Sequence, residues 1–221
     1  MDWNTWLTNR DFISSVTYLS ASDVTKEQLE SYDVVFMCHS VSGEPNVATA
    51  VKPANVGVMF VNRRAYNTMK FGTGHNYVLG QTQVTIVDNS HYITSPYPED
   101  NVTYTSSSSE SYISGWSGDI QCLGKIPGQD TQASILVLDK GEKHIDGSIA
   151  PERRVFSGLG YYGPFNMNEN GDNLDERALR WVIRAYSLNI YENIEDVPSG
   201  ENHYLEILYK LDNIKDNFRV Q

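Results

Sequence analysis

Two cysteines and five histidines are the residues of this chain best suited to nucleophilic or metal chemistry. A cysteine nucleophile needs a thiolate, a base within hydrogen-bond reach and donors for an oxyanion. Cys38 and His39 are adjacent, and in a strand adjacent side chains point to opposite faces, so they cannot form a dyad with each other. His91 or His144 would have to be brought to Cys38 by the fold. Cys38 and Cys122 adjoin the apolar residues Met37 and Leu123, which predicts buried thiols. His39, His75, His91, His144 and His203 show neither His-x-His nor His-x-x-x-His spacing, and two cysteines are too few for a thiolate zinc site. The acids Glu99, Asp100, Asp172, Asp175 and Glu176 follow no EF-hand pattern and read as solvated faces. No metal or cofactor is expected.

Gly158-x-Gly160-x-x-Gly163 has the spacing of a phosphate loop and follows a predicted strand. Its chemistry depends on a helix N-terminus at the loop, and here the next predicted helix begins about ten residues later. Tyr161, Tyr162 and Pro164 also crowd the loop. What remains is a polar and aromatic rim at the carboxyl ends of strands, where open α/β sheets bind ligands. The candidate ligand residues are His39, Ser40, Tyr161, Tyr162 and Asn166, with Phe165 and Asn168 beside them. Tyr and Asn suit sugar rings and hydroxyls, although loop packing accounts for the same residues.

The elements that must position these residues follow from hydrophobic pattern. Trp3, Trp6, Leu7 and Phe12 make a short helix or turn, and Thr25 caps a second helical start. Asp33-Val-Val-Phe-Met-Cys and Val56-Gly-Val-Met-Phe-Val are unbroken apolar runs of strand length, which predicts strands buried on both faces of a parallel sheet. Further strands are expected at Gln83-Val-Thr-Ile-Val, Val102-Thr-Tyr-Thr, Ile120-Gln-Cys-Leu, Ala133-Ser-Ile-Leu-Val-Leu and Arg153-Arg-Val-Phe. Ser106 to Ser109 reads as an exposed loop. A helix capped by Asn173, with Glu176 in capping-box position, carries the stripe Leu174, Ala178, Trp181, Val182 and Ala185 and should pack on the sheet. Residues 1–187 thus form one α/β domain and 188–202 a linker hinged at Pro198-Ser-Gly. Residues 203–221 form an amphipathic helix with the seam Tyr204, Ile207, Leu211, Ile214 and Phe218. A seam this short is marginal alone, and docking on another chain is the expected use.

Three stretches together resemble the ThuA-like branch of the class I glutamine-amidotransferase-like superfamily. They are Tyr32-Asp-Val-Val-Phe with Ser40-Val-Ser, then Ile86-Val-Asp-Asn-Ser-His-Tyr-Ile, then Ala150-Pro-Glu-Arg-Arg-Val-Phe-Ser-Gly-Leu-Gly ahead of Ala178-Leu-Arg-Trp-Val. The resemblance spans roughly residues 13 to 187. It implies a flavodoxin-like three-layer sandwich: a mainly parallel sheet between two helical layers. Catalytic members carry a Gly-x-Cys-x-Gly nucleophile elbow, and this chain has none. ThuA-like proteins often place a His after the Leu-Gly before the last helix; here Leu159-Gly160 is followed by Tyr161. The superfamily usually begins with a strand, so the first strand is expected to be missing or supplied by another chain.

The formal net charge of −11 argues against a nucleic-acid partner, since such binders gain affinity from Lys and Arg on phosphates. No apolar run approaches the roughly 18–20 residues that span a bilayer, and no signal peptide is visible, so no membrane partner is expected and the compartment stays open. The 14 tyrosines suit surfaces that meet other surfaces. The expectation is a non-catalytic structural or interaction module of a homo-oligomer or larger assembly, a viral or phage particle component being one that fits. The alternative is a divergent enzyme or carbohydrate-binding relative using the strand-end loops.

Overall fold

In the computed structural model the residues described are 2–39, 46–106, 109–160 and 163–183, all within the unit Met1–Tyr186. Ser40, Tyr161, Tyr162, the linker 188–202 and the seam Tyr204, Ile207, Leu211, Ile214 and Phe218 lie outside them.

Asp2 accepts a hydrogen bond from the Thr5 N–H at 2.8 Å and caps α1, Trp3–Thr8. Thr25 caps α2, Lys26–Leu29, through the Gln28 N–H, as its side-chain type predicts. The strands follow as β1, Val34–Met37; β2, Gly57–Phe60; β3, Gly74–Leu79; β4, Gln83–Ile86; and β5, Asn101–Thr103. After them come β6, Ser109–Ser114; β7, Gln121–Lys125; β8, Ala133–Leu138; β9, Arg154–Ser157; and finally the helix α3, Glu169–Ile183.

These strands form one sheet in the order β1-β2-β9-β8-β7-β4-β5, with β6 pairing β8 and β3 pairing β6. Only β1–β2 and β2–β9 are parallel, in the registers Val35↔Val58 and Met59↔Val155. All the other pairs are antiparallel. The sheet is therefore mixed, which corrects the expectation of a mainly parallel one. The cause is connection length. β1 reaches β2 through a crossover containing the π-helical segment Val47–Val51, whereas β7 turns into β8 through a short loop with Gly128 at φ 74°, and such a turn permits only antiparallel neighbours.

α3 covers one face of the sheet, and its stripe Leu174, Ala178, Trp181 and Val182 is buried with Met59, Val155 and Trp6. Trp181 is 3% exposed, as its place on the stripe predicts. Gly57 admits the helix end: a Cβ there would sit 2.3 Å from the Val182 carbonyl oxygen. The other face packs Phe60, Phe156 and Leu136 under α2 and the π-helical segment. α2 and the π-helical segment are each only about one turn long.

Three local expectations change. α3 starts earlier than predicted, because Asn168, not Asn173, caps it: the Gly171 N–H donates to Asn168 Oδ1 at 3.1 Å. Asn173 lies within the helix and donates to the Tyr97 hydroxyl at 2.9 Å. β1 is half-buried rather than buried on both faces, since it lies at the sheet edge. Ser109 is not loop; it opens β6 and is buried. No helix among the described residues is long and apolar enough to cross a membrane.

Candidate interaction site

The carboxyl ends of β1, β2 and β9 bring His39, Asn62 and Ser157–Gly160 to one side of the sheet. Asn62 is fully buried there; its Nδ2 donates to the His39 carbonyl at 2.8 Å and its Oδ1 accepts from the Arg64 N–H at 2.9 Å. The amide ties the exits of β1 and β2 together and leaves the His39 side chain exposed.

The end of β9 is closed by the chain itself. The Ser111 N–H donates to the Gly158 carbonyl at 2.9 Å, and the Gly158 N–H donates to the Ser134 carbonyl at 2.7 Å. A Cβ on Gly158 would lie 1.9 Å from the Ser111 carbonyl oxygen, and one on Gly160 would lie 2.5 Å from the Trp3 indole. Both glycines permit close packing, of β6 and of α1 respectively, and α3 begins only at Glu169. The phosphate-loop spacing therefore has a packing cause. Asn166 is held through its backbone, where its carbonyl accepts from Thr105 Oγ1 at 2.6 Å.

The residues suited to catalysis are dispersed. Cys38 and Cys122 form no disulfide. Cys38 packs on the α3 side of the sheet. His144 packs against Phe71 from the opposite face. His91 meets the Trp181 ring edge-to-face at 5.1 Å. That ring neighbours Val182, which touches the first residue of β2, so His91 sits at the far end of the strands from Cys38. Burial lowers both histidines to about 4 and pushes the Cys122 thiol up to about 12. No group of His, Cys, Asp or Glu able to hold a metal occurs among the described residues.

Several buried polar residues escaped the sequence reading. Asp175, taken there as solvated, is enclosed beneath α3 and accepts a hydrogen bond from Ser157 Oγ; burial raises its carboxyl to about 7. Glu110 on β6 is fully buried with the Ser134 hydroxyl as its polar neighbour, and burial holds it well above the usual carboxylate range. Arg154 is also fully buried and donates to the carbonyls of Val56 and Ala54, each at 2.6 Å. The period of the apolar residues around β9 and α3 marks Arg154 and Asp175 as inward-facing positions, a signal present in the sequence.

Asp172 and Glu176 are partly exposed but engaged. Both pair with Arg10, whose guanidinium lies 4.2 Å over the Trp6 ring. Arg180 pairs with Asp11 at 2.7 Å. These contacts rivet residues 3–12 to α3. The chain then continues as a strap, residues 14–20, without helix or strand, beside β1, whose outer edge pairs with no strand among the described residues. Between strap and strand runs an apolar cleft of about 220 Å³, lined by Leu7, Val16, Leu19, Val34 and Phe36 among others.

No protein-family model matches the chain, and no curated protein matches it. Among solved structures it is similar to a protein from Bacteroides uniformis described as ThuA-like, at 15% sequence identity and a TM-score of 0.51, over 75% of each chain. At that identity the likeness is one of fold alone, and it supports a ThuA-like α/β fold for this chain, built on a mixed sheet.

Proposed function

We propose that this chain is a non-catalytic interaction module of a larger protein assembly. The observation that carries the reading is the close packing at the end of β9, where open α/β sheets hold their ligands: Gly158 meets the backbone of β6 and Gly160 the indole of Trp3, with no room for a side chain at either. Two further observations support it. The thiol and imidazole groups whose titration is displaced are displaced by burial and away from reactivity. Among the described residues no strand pairs with the outer edges of β1 and β3, and an uncovered edge is a template for pairing with another chain.

In this reading neighbouring chains are held by the sheet edges and by the C-terminal seam Tyr204, Ile207, Leu211, Ile214 and Phe218. Light scattering on the full chain and on a chain ending at residue 187 tests it. The full chain should associate, and the shorter one should remain folded but lose part of that association. A full chain that stays monomeric at high micromolar concentration would overturn the reading. So would a hydrolase turnover abolished by Cys38→Ser.

A further inference from the structure

The cleft between the strap and β1 holds about 220 Å³ of space. Protein interiors leave few voids larger than a water molecule, and apolar walls that face nothing forgo their dispersion contacts. The cleft follows the strand edge rather than one face of the sheet. Val34, Phe36 and Cys38 reach it from the side that joins the α3 core, and Val35 and Met37 from the side that joins the other core. It therefore runs the length of β1, about 13 Å for those four residues, and its bore is correspondingly narrow.

The strap forms the outer wall and stands off the strand. No backbone hydrogen bond joins residues 14–20 to β1 among the described residues, so the gap is not closed by strand pairing. Val16 and Leu19 turn inward onto the cleft and are half-buried, whereas Tyr18 is 71% exposed. Both ends of the strap are fixed. The Ile13 N–H donates to the Arg10 carbonyl at 3.1 Å, and beyond the other end Asn46 Nδ2 donates to the Ser22 carbonyl. Although 20% of the chain is charged, no charged side chain lines the cleft among the described residues. Its polar members, Asn4, Ser15, Thr17 and Tyr32 among them, are all neutral.

We propose that this cleft binds a neutral molecule through one unbranched aliphatic chain of about eight carbons, its polar end meeting the hydroxyls of the strap. Three features select this ligand. Volume sets the chain length: a dry apolar cavity of about 150 Å³ takes up the six carbons of benzene, so 220 Å³ takes about eight or nine. The narrow bore along a strand edge selects a linear chain over a fused ring system. The uncharged walls select against an ionised head, since a carboxylate would be buried without a cation in a protein of net charge −11. This inference rests on the cleft alone and goes beyond the interaction-module reading, which it neither needs nor replaces.

The test titrates the full chain with the primary alcohols from 1-butanol to 1-decanol by calorimetry. Each added methylene should tighten binding about fourfold, and the gain should cease at about eight or nine carbons, where the cleft is full. Octanoate at pH 8 should bind at least about tenfold more weakly than 1-octanol. Intermolecular NOEs should join the octanol methylenes to the methyl groups of Val16, Leu19 and Val34. Val16→Trp and Leu19→Trp, at half-buried strap positions, should each fill the cleft and weaken octanol at least about tenfold without lowering the melting temperature. The chain-length series and the NOEs are read on the parent chain, so they decide the matter even if neither variant folds. Affinity independent of chain length, equal binding of octanoate and octanol, NOEs to other residues, or unaltered binding by both folded variants overturns the proposal. So does octanol affinity that falls as protein concentration rises, which would give the cleft to a second copy. A parent chain that binds none of the alcohols refutes this inference and leaves the module reading standing.

Discussion

Replacing Asp175 with Asn should stabilise this protein, and by an amount that grows with pH. Asp175 is enclosed between α3 and β9, with Ser157 Oγ donating to one carboxylate oxygen and no hydrogen-bond partner at the other. Burial is the main cause that lifts its ionisation from 3.8 to about 7, and the nearby Asp172 adds to it. The folded state therefore holds a proton that the unfolded chain has released between those two values, so stability falls as pH rises through that window. Below pH 3.8 both states are protonated and the effect vanishes; above pH 7 the full penalty of about 4 kcal/mol is present. Asn is nearly isosteric, can still accept from Ser157 and does not titrate, but its amide leaves one buried donor to satisfy, a constant cost of about 1 kcal/mol. Urea unfolding of the two proteins in parallel isolates the pH-dependent part, because every other titrating group, Glu110 included, cancels in the difference. From pH 5 to pH 8 the Asn variant should gain about 3 kcal/mol relative to the parent. A difference that stays flat across this range would falsify the view that Asp175 is held protonated by its surroundings.

Four other outcomes follow from contacts described above. Gly158→Ala should lower stability by about 3 kcal/mol or more, because the new methyl group meets the Ser111 carbonyl, a backbone atom that cannot rotate aside; a near-neutral melting temperature would show that β6 does not close on β9. Trp181→Ala should cost about 3–5 kcal/mol in chemical unfolding, since it empties the centre of the α3 face and removes the partner of His91 and Arg153. Arg10→Ala should release the N-terminal segment locally, which limited proteolysis will read as faster cleavage within residues 9–20 with little change in global unfolding. Cys122, with its thiol pushed up to about 12, should resist iodoacetamide at pH 8 in the native chain and react once urea unfolds it; rapid native labelling would contradict its burial.

The sequence announces those elements whose local pattern agrees with their tertiary place. β2, β8 and β9 are wholly buried, β2 apolar throughout and the other two apolar except for Ser134, Arg154 and Ser157, and the α3 stripe repeats at helical period. β3 and β6 are absent from the sequence reading for a physical reason. β6 buries Ser109, Glu110 and Ser111, polar residues that no propensity argument sends inward, and β3 leaves Tyr77 and Leu79 in solvent. Each is a strand because of its neighbour rather than its own composition. The same applies to the candidate site. The spacing of Gly158, Gly160 and Gly163 is visible in sequence, but whether it admits a phosphate or the backbone of β6 depends on a strand about fifty residues away that pattern does not reveal. The edge of β1 is legible only in part: its apolar run is plain, while its place at the end of the strand order among the described residues depends on the path of the whole sheet.

The parallel pairing of β2 with β9 has a consequence for how this chain is made. Phe60 and its register partner Phe156 are separated by almost half the polypeptide, whereas β3 to β9 is a contiguous stretch that can assemble from neighbouring segments. During synthesis β2 emerges early and carries Val58, Met59 and Phe60, all fully buried in the finished sheet. Its partner follows roughly a hundred residues later, a wait of about 5–20 s at ordinary elongation rates. Through that interval the β1–β2 pair presents an apolar edge to everything around the ribosome. The chain's first two strands are therefore its most aggregation-exposed part in the cell, and any delay in translating residues 60–150 should lower the yield of soluble protein more than a delay of equal length after β9.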